Sequence, residues 1–254
     1  MLIWMKNVRL HLIIPLFAFL LLIDIGVNSN DHYSAYRVDV SWPNCAKRLV
    51  NFNSGIIGVT GGLDFHPNKC LAQETGSLLS YQLYENTGYP GPHIKQFYQR
   101  TPIHCRPGNL NCEAYNYGYN SSLYAIRQAS LSNAHSTVWW LDVETENSWS
   151  AYPSVNVDDL KGAAQAIEDN IFLAKVGFYS YPDQWKAITG SWKNAYPAWV
   201  ATGTSNIGSA FKACTLPAFN DGRVVLSQFT MGLDINISCL QPQTSLKIYQ
   251  NQLD

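Results

Sequence analysis

The sequence predicts a single α/β domain closed into a (β/α)8 barrel of the TIM type. Three observations carry that prediction. β-prone apolar runs alternate with helical stretches along the whole chain, the pattern of a parallel sheet covered by helices. The runs number about seven or eight over about 225 residues, which suits one barrel better than an open, doubly wound sheet. No GxGxxG or GxxxxGK stretch favours a nucleotide fold.

The chain opens with Lys6 and Arg9 ahead of an apolar run over residues 12–23, followed by Gly26-Val27-Asn28-Ser29. This is the layout of a secretory signal peptide spanning residues 1–29, its apolar core short for a membrane span. Residues 30–254 then form a mature, secreted and extracellular domain, expected to be a monomer with no membrane contact after cleavage. Residues 36–41 alternate and read as a first strand, ending at the Trp42-Pro43-Asn44 turn. A second strand covers 55–60, a helix 68–79 and a third strand 80–85. Residues 87–119 are rich in Gly, Pro, Asn and Tyr, and are expected to hold a short helix near 94–99 and a disulfide-pinned loop. A helix at 122–132 leads into the strand that begins at Val138. Asn156 is the expected N-cap of the next helix, with Asp158 and Asp159 favourable in its first turn. A strand at 175–180, a helix at 181–188 with Pro182 near its start, and strands at 197–201 and 223–229 complete the order.

Composition narrows the function. The net charge is −1, and it stays slightly negative once Lys6, Arg9 and Asp24 leave with the signal. That argues against a nucleic-acid partner and gives no strong pull toward anionic cell walls. Six cysteines, Cys45, Cys70, Cys105, Cys112, Cys214 and Cys239, follow the signal and read as disulfides. Pairing between neighbours in sequence is expected, because each such bridge closes a single loop. No CxxC or HxxxH spacing points to structural zinc, so neither a metal nor a cofactor is expected. Asn120-Ser121-Ser122 and Asn236-Ile237-Ser238 are glycosylation sequons.

The chemistry centres on Val138-Trp139-Trp140-Leu141-Asp142-Val143-Glu144, an apolar buried strand that ends in two carboxylates. Strand alternation puts Asp142 and Glu144 on one side, their Cα atoms roughly 6.5 Å apart. Buried ionisable groups are costly unless they are used. Asp39 ends the first strand, and Asp234 follows the last predicted one. In a barrel all four acids converge on one face. Mutual repulsion then keeps some protonated beside others that stay charged, which is what glycosidic cleavage requires. Each of Asp39 and Asp234 alone could equally cap a turn, and a calcium site at the acids is a weaker alternative. Trp42, Trp149, Trp199 and Tyr179 lie near strand ends, where flat rings could stack on sugars. No GxSxG marks a serine hydrolase, and His66, His93, His104 and His135 are scattered in loops.

Three motifs in this order resemble family 25 glycoside hydrolases, the Chalaropsis-type lysozymes: Val38-Asp39-Val40-Ser41, Leu141-Asp142-Val143-Glu144, and Gln228-Phe229 followed by Asp234-Ile235-Asn236. The resemblance spans about residues 36–240. It implies a modified (β/α)8 TIM-like barrel that cleaves β-1,4 bonds of peptidoglycan, a polysaccharide of amino sugars, with Glu144 as general acid. Asp142 would assist as a second carboxylate or by orienting the substrate's acetamido group. Asp39 and Asp234 would bind and polarise the site, and Tyr179 would support the transition state. Apart from the resemblance, Tyr179, Trp199, Trp42 and Gln228 are the candidate substrate contacts. The chain departs from the family at Trp42-Pro43-Asn44-Cys45 and in its cysteines, so a divergent secreted branch is implied. Family 18 chitinases share the DxE ending, but their longer DxxDxDxE pattern would need acids at Thr137 and Trp140. A catalytically silent, glycan-binding barrel of lectin or inhibitor type is the alternative from another class.

Overall fold

The computed structural model describes residues 36–45, 47, 49, 52–91 and 100–240. The expected signal segment and the short helix expected near 94–99 lie outside them, as does His93. Eight strands close into one barrel in sequence order: β1 (Tyr36–Val40), β2 (Ser54–Gly58), β3 (Ser80–Asn86), β4 (Val138–Asp142), β5 (Lys175–Ser180), β6 (Ala198–Ala201), β7 (Val224–Met231) and β8 (Leu233–Ser238). Neighbours from β1 to β7 pair in parallel. β8 instead runs antiparallel to both β7 and β1. The expected modified barrel is present, and β8 is its departure from a parallel sheet: Gly232, at φ 72°, turns β7 straight into β8, and so tight a hairpin can only reverse the chain. Asp234, expected beyond the last strand, therefore lies inside one.

Period-2 alternation sorts each strand's side chains between two cores. Ile56, Tyr84, Trp140, Tyr179, Trp199 and Leu226 fill the barrel interior. Val38, Val40, Ile57, Leu83, Trp139, Leu141 and Phe178 face outward, under the helices. Burying each such side chain is worth about 1.5–3 kcal/mol, so the doubly buried strands account for much of the fold's stability.

The helices are α1 (Leu71–Gly76), α2 (Leu110–Leu131), α3 (Pro153–Asn170), α4 (Pro182–Thr189) and α5 (Ile207–Ala213). α1 is shorter than the helix expected at 68–79, and α5 was not anticipated. α2 begins where Asn109 Oδ1 accepts from the Cys112 N–H (3.2 Å), so Tyr115 to Asn120, expected in a loop, are helical. Their poor helix propensity is overridden by packing. A Cβ on Gly118 would strike the Asp159 carbonyl, and one on Gly162 would strike the Tyr115 carbonyl; two glycines thus let α2 and α3 touch backbone to backbone. α3 begins at Pro153, which suits a first helical turn, and not at Asn156. Asn156 lies within the helix and its amide clamps a loop: it bonds both backbone groups of Ser150 and the Ile188 carbonyl, each at 2.9 Å.

Disulfides join Cys45 to Cys70, Cys105 to Cys112 and Cys214 to Cys239, the expected local pairing. No helix among the described residues is long and apolar enough to cross a membrane.

Candidate active site

The parallel strands deliver their C-terminal ends to one mouth, and β8 brings its N-terminal end there. Asp39 of β1 is the register partner of Asp234 on β8, and Asp142 of β4 that of Asn86 on β3 and of Tyr179 on β5. Strand pairing therefore sets three of the four predicted acids on the barrel rim. Glu144 stands two residues past the end of β4, on a segment tied back to the barrel. The Val143 N–H donates to the Tyr179 carbonyl (2.9 Å), Trp149 Nε1 donates to the Glu144 carbonyl (2.7 Å), and the Thr145 N–H donates to Gln184 Oε1 (3.0 Å).

Exposure separates the acids. Asp142 is sealed at 4 % exposure, while Asp39, Glu144 and Asp234 are partly open. Burial, then repulsion from Glu144 and Asp39, holds Asp142 well above the usual carboxylate range, against a hydrogen bond from Asn86. Glu144 is pushed up to about 7 by burial, then by Glu146 and Asp234, against hydrogen bonds with Tyr179 and Asp142. Asp39 is raised by burial and by Asp234, against its hydrogen bond from Gln228. Asp234 accepts from Thr230 Oγ1 (2.7 Å). The mouth thus presents a carboxylic acid that keeps its proton near neutrality, with further carboxyls around it. Such a group can protonate a leaving oxygen.

Gln228 links two of these groups. Its Oε1 accepts from the Tyr179 hydroxyl (2.8 Å) and its Nε2 donates to Asp39 Oδ2 (2.9 Å), which fixes which way the amide faces. At 4 % exposure it is a brace within the site wall. Tyr179 is 7 % exposed and lies with its ring 4.4 Å from that of Trp199. Trp42, just past β1, is 52 % exposed, its indole nitrogen close against Gly62 in the loop after β2.

Two expectations do not survive. Trp199 is 1 % exposed in the barrel interior, where its Nε1 donates to Asn236 Oδ1 (2.7 Å), so no ring face is left for a ligand. Asn236 is fully buried and its Nδ2 donates to the Arg37 carbonyl (3.1 Å), so that sequon is closed to a glycan. Asn120 is half-buried, its amide donating to the carbonyls of Thr101 (2.8 Å) and Asn116 (2.7 Å). His66, His104 and His135 are exposed and away from the acids. Among the described residues no cluster of His, Cys, Asp and Glu could hold a metal ion.

Sequence reasoning missed Asn86 and Tyr84. Asn86 donates to Asp142 Oδ2 (2.6 Å). The Tyr84 hydroxyl is held protonated by burial and by Asp39 and Asp142, and hydrogen-bonds with Ser41. Both alternate inward along β3 on either side of the outward Glu85, a signal present in the sequence. Two cavities, of about 460 and 340 Å³, lie away from the carboxylates. One is between the ends of α2 and α3 (Ile126, Trp139, Ile171), the other at the opposite mouth of the barrel (Arg37, Trp140, Leu226).

No family model matches the chain, and no curated protein matches it. Among solved structures, the catalytic domain of the endolysin ply40 from bacteriophage P40 of Listeria monocytogenes superposes with a TM-score of 0.51 at 18 % identity, over 80 % of this chain and 92 % of that one. The bacterial lysozyme from Streptomyces coelicolor gives 0.50 at 15 % identity, over 83 % and 94 %. The chain shares the closed, modified β/α-barrel fold of these two proteins.

Proposed function

We propose that this chain is a secreted glycoside hydrolase of the family 25, lysozyme-like kind, cleaving β-1,4 bonds of peptidoglycan or a related amino-sugar glycan. The observation that carries the proposal is the carboxyl pair at the end of β4. Glu144, raised to about 7, is partly open to solvent, while Asp142 is sealed behind it. Glu144 gives its proton to the bridging oxygen as the bond from that oxygen to the anomeric carbon breaks. Water supplies the hydroxyl that the sugar gains and the proton that restores Glu144. Asp39 and Asp234, partly open at the mouth, border the sugar on which positive charge develops, and Asp142 assists from behind Glu144. Tyr179 and Gln228 hold the far wall in place, and the open ring of Trp42 supplies a stacking surface. The fold shared with a phage endolysin domain and a bacterial lysozyme supports this reading, and three disulfides suit an oxidising, extracellular setting.

The test is release of reducing sugar from purified peptidoglycan by the mature protein. Glu144→Gln keeps the shape and removes the acid, so turnover should fall at least about 100-fold. Turnover unchanged in that variant sinks the assignment. Glycan binding without hydrolysis by the wild type would replace it with the silent, glycan-binding barrel.

A further inference from the structure

Taking Glu144 as the general acid, we infer that Asn86, itself aimed by Thr60, is a positioning residue that decides where the proton shared by Asp142 and Glu144 resides. Three observations fit together. Asn86 ends β3 beside Asp142, and its Nδ2 donates to Asp142 Oδ2 at 2.6 Å. The Asn86 amide has only one orientation open to it. Thr60 Oγ1 accepts from the Asn86 N–H (2.8 Å), so its own proton is free to go to Asn86 Oδ1 (2.8 Å). With Oδ1 so engaged, the NH2 group must face the carboxylate. The Asp142 backbone is equally fixed, because its carbonyl accepts from the Thr87 hydroxyl (2.6 Å) and the Thr87 N–H (3.1 Å).

One oxygen of Asp142 is therefore committed. The other, Oδ1, is buried and accepts no hydrogen bond. A buried carboxyl oxygen with no donor is costly, unless a proton lies on it or on a neighbour that can share one. The neighbour within hydrogen-bonding reach is the Glu144 carboxyl. The other titratable groups facing the pair are Asp39 from β1, Tyr84 from β3, Tyr179 from β5, Tyr181 just past it, and Glu146 and Asp234 toward solvent. Among them Tyr179 hydrogen-bonds with Glu144, whereas the Asn86 amide donates to Asp142, so the Asn86 amide is the donor that sets Asp142 apart from Glu144. Its N–H opposes the burial that raises Asp142 and so draws the shared proton toward Glu144, the carboxyl open to substrate. Without that donor the proton moves inward to Asp142, and the outer carboxyl loses its acid form.

The experiment follows the individual Asp and Glu side-chain carboxyls by carbon-13 NMR titration, in the wild type and in Asn86→Ala, Thr60→Val and Thr60→Ser. In Asn86→Ala the Asp142 midpoint should rise by about one unit and the Glu144 midpoint should fall. Thr60→Val, which keeps shape and needs no repacking, should move both the same way by less, and Thr60→Ser should restore wild-type values. On peptidoglycan the basic limb of the pH–rate profile should shift to lower pH in Asn86→Ala. kcat should fall roughly tenfold and KM should change little. Midpoints in Asn86→Ala and Thr60→Val that superimpose on the wild type overturn the inference even if the enzyme is active. Shifted midpoints in a wild type that hydrolyses nothing would uphold the proton placement and remove the glycosidase reading instead.

Discussion

Asn236 lies in the barrel wall with its amide spent on Trp199 and on the Arg37 carbonyl, although its sequence context is that of a glycosylation acceptor. Peptide mass mapping of protein secreted from a eukaryotic host should find Asn236 unmodified. Asn236→Ala should lower stability by about 1–3 kcal/mol in urea titration, because it leaves the Trp199 indole N–H buried without its partner. A glycan on Asn236 would contradict this placement. The same residue marks the limit of what single positions disclose. Asp142 and Glu144 were legible because two acids closing an apolar strand are costly and have no bland explanation nearby. Asn86 was not, because its partner lies 56 residues away and only strand register brings the two together. Trp199 was misplaced for a related reason: composition says that a ring sits on a strand, and only the direction it faces separates a sugar platform from barrel filling.

The pairing of α2 with α3 is where sequence and structure diverge most at the level of elements. Tyr115 to Asn120 read as loop because Asn, Tyr and Gly are poor helix formers, yet Gly118 and Gly162 are what allow the two helices to touch. Beneath that contact lie three acids. Glu85 points outward from β3 and accepts from Ser122 Oγ, Asp64 accepts from the Tyr117 hydroxyl (3.0 Å), and Asp159 of α3 is 1 % exposed with Oδ1 taking no hydrogen bond. No lysine or arginine pairs with any of them among the described residues. Burial raises Asp64 to about 7, burial and Asp64 raise Glu85 to about 8, and burial with both neighbours raises Asp159 well above its usual range. Folded-state values above the unfolded ones mean that the native protein holds these protons longer. Their contribution to stability is therefore full below about pH 4 and is lost as pH rises through the folded values near 7 and 8. The urea midpoint should fall between about pH 5 and about pH 8, and Asp159→Asn should flatten that fall by raising the midpoint at the alkaline end. An Asp159→Asn midpoint that tracks the wild type at every pH would remove these acids as the cause.

At the scale of the whole molecule, the barrel was legible because alternation of strand and helix recurs along the chain and leaves few other closed solutions. Strand direction was not, because a period-2 pattern reads the same both ways; the one available sign was Gly232 between two β-prone runs. The reversed β8 places Ile237, near its end, beside Tyr36, the first residue of β1, with Cα atoms about 5 Å apart in such a pair. Both ends of the barrel chain thus meet on the face opposite the carboxylates. Linking residue 240 to residue 36 through a few glycines and opening the chain between Phe172 and Leu173, exposed at 86 % and 71 %, should give a circular permutant that folds and unfolds as one unit. A broad or two-step urea transition would show that the order of synthesis, and not the ring of strands, holds the sheet closed. The seam of this ring is movable, and it lies away from the chemistry. Fixed to a bead or a surface through residue 36 or residue 240, the barrel would point its carboxylates outward, away from the support.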